Sequence, residues 1–194
     1  GLSFYQRKEI KDAIAYMRLT VNDKDDEALK RIINYPRRGI GKTTIDNLTQ
    51  LADDNEMSMW EILTKVEFSA RAKKKMGDFV KLIQSFKQKA ATSDAYETAS
   101  YIVRRSGIAE LLRSDPTPEG QARVENVNAL LDGIKEFVED DELDEGEEMM
   151  DKTMSAFLQT ISLMTDADND TEEQDVVTLM SVHAAKGLEY RSVY

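Results

Sequence analysis

Met76, Phe79, Ile83 and Phe86 recur at three- and four-residue intervals, which puts them on one stripe of a helix running from about Ser69 to Ala90. Arg71, Lys73, Lys74, Lys81 and Lys87 fall largely on the remaining surface of that helix. The same period governs the chain from its start to about residue 165, so the fold has to be built from packed helices. Ser3 with Gln6 forms a capping-box pair ahead of Ile10, Ile14 and Met17, and Ser58 with Glu61 forms another ahead of Ile62. Leu29, Ile32 and Ile33 mark a helix that must end at Tyr35, because Pro36 drives its predecessor out of the helical region. Ile45, Leu48 and Leu51 mark the next helix. Ser93 is the expected cap of a helix carrying Ala95, Ala99, Ile102 and Val103, which Gly107 interrupts. Thr117 at the N-cap and Pro118 at the first helical position open a helix through Val124, Val127, Leu131, Ile134 and Phe137. Phe157, Leu158, Ile161 and Met164 mark the last one, after which Asp166 to Asp175 reads as an acidic linker.

Beyond that linker the pattern changes. Val176 to Val182 is an apolar, β-branched run of strand length that leads into the polar, glycine-containing stretch His183-Ala-Ala-Lys-Gly-Leu-Glu189. A strand running into such a loop is where open parallel sheets bind ligands. The expected fold class is mainly α: a multi-helix domain with a short α/β remnant, strand-loop-strand, at the C-terminus.

Composition narrows the function. The chain has 194 residues and no cysteine, which excludes a disulfide framework and a thiolate metal site. No stretch approaches the roughly 20 apolar residues of a membrane helix. The chain opens on Gly1 without a signal-like apolar run, so it reads as a piece of a larger, cytoplasmic protein. The net charge of -11 argues at first against a nucleic-acid partner, but the charge is unevenly placed. Residues 1–118 carry 21 Lys+Arg against 17 Asp+Glu, or +4, and residues 119–194 carry 5 against 20, or -15. Much of the acid lies in the run Glu139 to Glu148, which reads as a solvated, mobile surface loop. It lacks the alternating ligand order and central glycine of a calcium loop.

Pro36-Arg-Arg-Gly-Ile-Gly-Lys-Thr43 ends like a phosphate-binding P-loop, but that pattern needs a glycine five positions before Gly41, and Pro36 stands there. A helix, a tight Gly-Ile-Gly turn and a second helix is the better reading. The N-terminus of the second helix would present unpaired N–H groups among Arg37, Arg38 and Lys42, an arrangement suited to a DNA phosphate. Arg7, Lys8 and Lys11 alternate with Glu9 and Asp12 and read as a solvated face. Tyr16, Trp60 and Tyr101 read as packing residues. His183 is the only histidine and could not hold a metal alone.

The stretch His183 to Glu189 closely resembles motif V of the UvrD/Rep family, superfamily 1 DNA helicases. Gly1 to Asp12 is similar to the segment that follows motif IV there. Asn34 to Gly41 resembles a family element inside the inserted domain 2B, and Arg123 to Asn126 resembles a weaker one. The resemblance implies three parts: residues 1–20 as a helix at the 2A/2B boundary, 21–175 as a helical 2B-like domain, and 176–194 as a domain 2A fragment carrying motif V.

That resemblance implies a fragment of an ATP-dependent 3′ to 5′ DNA helicase, with ATP and magnesium used by the intact enzyme and no catalysis by the fragment alone. Duplex DNA would meet Arg37, Arg38, Gly39, Ile40, Gly41 and Lys42. Single-stranded DNA would meet His183 and Lys186, and the nucleotide Gly187 and Glu189. Further expected partners are the other helicase domains and, through the exposed C-terminal strand, a second copy of the chain. The competing reading is an acidic helical module that binds another protein and never touches DNA.

Overall fold

The computed structural model describes residues 2–140 and 151–171, and among these the chain is mainly α, with ten helices and no strand. They are α1 (Leu2–Gln6), α2 (Lys8–Val21), α3 (Asp26–Ile32), α4 (Lys42–Asp54), α5 (Met59–Lys65), α6 (Ala70–Thr92), α7 (Ala95–Arg105), α8 (Ile108–Arg113), α9 (Pro118–Glu139) and α10 (Met154–Thr171). The expected strand Val176–Val182 and motif V lie outside the described residues.

Helix α2 is the axis of the body. It packs against α3, α6, α7, α9 and α10, and Ile10, Ala13, Tyr16, Met17 and Leu19 are fully buried along it. A helix apolar on so many sides is a core helix. Helix α6 lays its stripe of Met76, Phe79, Ile83 and Phe86 into this core, as the spacing predicts. The Phe86 ring meets Tyr16 edge-on at 6.1 Å and Tyr101 at 5.9 Å, a geometry that aromatic quadrupoles favour.

Several expectations about boundaries are corrected. The first helix is broken at Arg7, whose extended backbone (φ -65°, ψ 138°) caps α2, so Ser3 lies inside a separate short helix. Helix α3 stops at Ile32. Asp94 rather than Ser93 caps α7, its carboxylate accepting from the Glu97 N–H at 2.8 Å, because α6 runs on to Thr92 and takes Ser93 as its own C-cap. Helix α10 continues to Thr171 through the residues expected to begin a linker, since no glycine or proline stops it there. On α10, Phe157 and Ile161 are buried but Met164 is not.

Arg7, Lys8 and Lys11 are exposed as expected, but the acids between them, Glu9 and Asp12, are not solvated. Both are buried, and their charge is met inside the fold. Asp12 accepts from Lys8 and from Arg31 of α3, each at 2.8 Å. Glu9 accepts from the Asn126 side chain of α9 at 2.6 Å, and Asn126 in turn accepts from Arg7 at 2.5 Å. A buried carboxylate survives only when it is paired in this way.

The start of α9 is a compact knot. Thr117 accepts from the Gly120 N–H at 3.1 Å, while Asp115 accepts from the Thr117 N–H at 3.0 Å and its hydroxyl at 2.6 Å. Those bonds hold the Asp115 carboxyl below its ordinary range. A Cβ at Gly120 would fall 2.4 Å from the Asp115 carbonyl oxygen and 2.5 Å from its carboxyl carbon. Glycine to alanine inside a helix normally stabilises by about 0.5–1 kcal/mol. We expect the opposite sign for Gly120→Ala, with a loss of about 1–3 kcal/mol from overpacking, measured by urea denaturation; a gain in stability would refute the knot.

Candidate nucleic-acid interface

The turn between α3 and α4 is shaped from inside. The Asn34 side-chain carbonyl accepts from the Arg38 N–H at 2.8 Å and the Ile40 N–H at 3.2 Å, and Ile40 plugs the core at 2% exposure. The end of α3 leaves carbonyls without helical partners. Arg38 collects them: its guanidinium donates to the carbonyls of Ile32 at 2.8 Å and Tyr35 at 3.1 Å, and more distantly to Ile33 at 3.4 Å and Ser106 at 3.4 Å. It also donates to the Tyr16 hydroxyl, which itself donates to the Tyr35 carbonyl. The rings of Tyr16 and Phe79 lie 5.6 and 5.4 Å from its centre.

The outer side of the turn is different. Arg37, Gly39, Gly41 and Lys42 are exposed. Gly39 has φ +75°, a region that glycine enters without strain. Gly41 is the N-cap of α4 and offers no side-chain cap, so the first N–H groups of α4 have no side-chain partner there. An added Cβ at Gly41 would meet nothing within 4 Å, so the approach to those groups is open. Arg37 makes no ion pair among the described residues, and Lys42 makes only an exposed one with Asp46 at 3.2 Å. Partial positive charge and two accessible cations converge on one corner.

Of the six residues expected at this site, Arg37, Gly39, Gly41 and Lys42 share the outer surface, while Arg38 and Ile40 point into the body. His183, Lys186, Gly187 and Glu189 lie outside the described residues. One neighbour was not anticipated: Lys75 of α6 donates to the Gly39 carbonyl at 3.2 Å. Arg71 lies one turn before Lys75 on the same helical face, with Lys74 beside it, and both are exposed. The basic run was visible in the sequence, but its placement beside the turn depends on a contact spanning 36 residues.

Among the described residues the body is helical, and at this corner it presents an uncapped helix start flanked by the exposed Arg37 and Lys42. Residues 1–194 match the UvrD-like helicase C-terminal domain. The chain is 34% identical over 197 residues to the ATP-dependent DNA helicase PcrA of Staphylococcus aureus, a match covering all of this chain and 26% of that protein. It is 33% identical over 198 residues to DNA helicase II of Haemophilus influenzae and of Salmonella typhimurium, again over the whole chain and over 26% and 27% of those proteins. The chain belongs to the UvrD-like helicase family. It spans about a quarter of the length of these relatives.

Burial pushes the Tyr16 hydroxyl up to about 12, against the downward pull of Arg38. A raised folded value means that the associated stability is present below the ordinary tyrosine value of 10.0 and is lost as pH rises through about 12. At neutral pH we expect Arg38→Ala to cost about 3 kcal/mol, because several buried carbonyls lose a charged donor. Arg37→Ala should stay within about 0.5 kcal/mol of the parent. Equal losses in urea denaturation would remove the distinction between the two arginines.

Proposed function

We propose that this chain is the part of an ATP-dependent DNA helicase that grips duplex DNA, and that the outer corner of the α3–α4 turn is its contact. In this reading residues 21–175 act as a 2B-like domain. Residues 176–194, carrying motif V, couple single-stranded DNA at His183 and Lys186 to a nucleotide at Gly187 and Glu189 in the intact enzyme, which moves 3′ to 5′ using ATP and magnesium. The three relatives named above are called DNA helicases, one of them ATP-dependent, and their likeness to this chain over its whole length supports the reading. The observation that carries the duplex contact is the uncapped start of α4 at Gly41, ringed by Arg37, Lys42 and Lys75.

Such a contact reads no bases. Backbone N–H groups and mobile cations hold phosphate, so binding should be sequence-independent and strongly dependent on salt. Arg38 enters as the residue that holds the turn in shape. Among the described residues no cluster of three or more His, Asp or Glu is placed to hold a metal.

Fluorescence anisotropy with short duplexes of unrelated sequence tests the contact. With two or three phosphates engaged, log affinity should fall against log salt with a slope of about -2 to -3. Arg37→Ala with Lys42→Ala should weaken every duplex equally and flatten that slope, while the thermal melt stays unchanged. Binding untouched by this pair would place the duplex elsewhere and favour the protein-binding alternative.

We also propose that residues 176–194 pair with the same segment of a second copy when the other strands of their sheet are missing, since unpaired strand edges recruit other chains. Deleting 176–194 should then lower the mass seen by light scattering while helical circular dichroism of the body persists. Loss of cooperative melting on deletion would make the segment part of the core and put the boundary near Asp175 in the wrong place.

A further inference from the structure

Helices α7, α8 and α9 enclose an open cavity of about 170 Å³ whose lining includes none of Arg37, Gly39, Gly41, Lys42 or Lys75. Its floor is apolar, formed by Val103, Leu112, Val127 and Leu131, and Arg104 and Arg113 stand at its edge. Both arginines are exposed, and neither forms an ion pair among the described residues. The Arg104 guanidinium lies 5.9 Å from the Tyr101 ring, so part of its freedom is already spent. Ser100 lines the same cavity, and its hydroxyl is buried without a hydrogen-bond partner. Helical hydroxyls elsewhere in the chain bond back to the preceding turn, as Thr20, Thr49 and Thr64 do. A buried hydroxyl left unpaired marks this wall of the cavity as imperfectly packed. Thr98, the other buried hydroxyl without a partner, is not among the lining residues.

We propose that this cavity is a docking site for an acidic segment of a partner protein, which inserts one large apolar side chain onto the floor and sets a neighbouring carboxylate between Arg104 and Arg113. Size selects the occupant. Sites for whole small molecules run to about 300–1,000 Å³, and this one holds a single side chain. Charge selects the flanks, because guanidinium groups form paired hydrogen bonds with carboxylates. Nucleic acid would satisfy the arginines but has no apolar group to cover the floor on its phosphate side. An apolar anchor ringed by charged contacts is also the arrangement that concentrates binding energy at protein interfaces.

The test uses the 194-residue chain with labelled Val and Leu methyl groups, titrated with the blocked peptide acetyl-Glu-Glu-Phe-Glu-Glu-amide and followed by NMR. The expected result is saturable shifts confined to the methyls of Val103, Leu112, Val127 and Leu131. Replacing the peptide's phenylalanine by alanine, or its glutamates by lysines, should abolish them. Arg104→Ala with Arg113→Ala should weaken binding at least tenfold, and both residues are exposed, so the fold is retained. Ser100→Leu, which fills the cavity, should block binding while the helical spectrum is unchanged. Absence of shifts into the millimolar range overturns the proposal, as do shifts that survive the double arginine change. The same methyls moved by a short DNA duplex and not by the peptide would overturn it in favour of nucleic acid.

Discussion

A helix that ends against its neighbours leaves carbonyl groups without helical partners, and α3, packed on α2 and α5, ends in this way beside Tyr16 of α2. The Arg38 guanidinium resolves this with five N–H donors and no acceptor, a match for a nest of carbonyls that no neutral side chain offers. Four carbonyl oxygens and the Tyr16 hydroxyl accept from it, and two aromatic faces cover it. No carboxylate is needed, because the carbonyl dipoles supply the negative potential. Asp12 is its counterpart of opposite sign on the same central helix, met by Lys8 and Arg31. Arg31 in the last turn of α3 and Arg38 in the turn after it both bond to α2, and the shape of the turn follows.

That inner anchorage decides what the outer side can offer. With Arg38 and Ile40 turned inward, the residues alternating with them, Arg37, Gly39 and Gly41, face outward, and Lys42 opens α4 beside them. The Gly39 carbonyl then meets Lys75, which brings a second helix with its own exposed cations to the same corner. A cluster of positive charge arises from two segments far apart in sequence because one buried guanidinium fixes the backbone between them.

The sequence discloses those features whose cause is local. The stripe of Met76, Phe79, Ile83 and Phe86 is legible because helix period and burial agree, and the Thr117–Pro118 start of α9 is legible because a capping oxygen and a preset φ act within four residues. Features set by distant partners are hidden. Arg37 and Arg38 are the same residue type side by side, and the distant partners that set Arg38 apart include Tyr16, 22 positions away, and Ser106, 68 positions away. Glu9 and Asp12 look like a solvated face when polarity alone is counted, because their partners Arg31 and Asn126 lie on other helices. The break at Arg7 carries no glycine or proline to announce it.

The remaining tension is between a chain of net charge -11 and a corner that presents positive charge. Geometry along α7 eases it. The turn reaches α7 at its C-terminal end, through Ser106, whereas Lys152, beside the described flanks Asp140 and Asp151 of the acidic run, meets α7 at its N-terminal end through the Ala95 N–H at 2.7 Å. Eleven helical residues separate those ends, a rise of about 16 Å at 1.5 Å per residue. The screening length at physiological salt is about 8 Å, so the flanking acids act on the corner only weakly. Local charge therefore governs what the corner attracts. A phosphate close to Arg37 and Lys42 would meet nearby cations and free N–H groups, while the described acids Asp140 and Asp151 lie at the far end of α7.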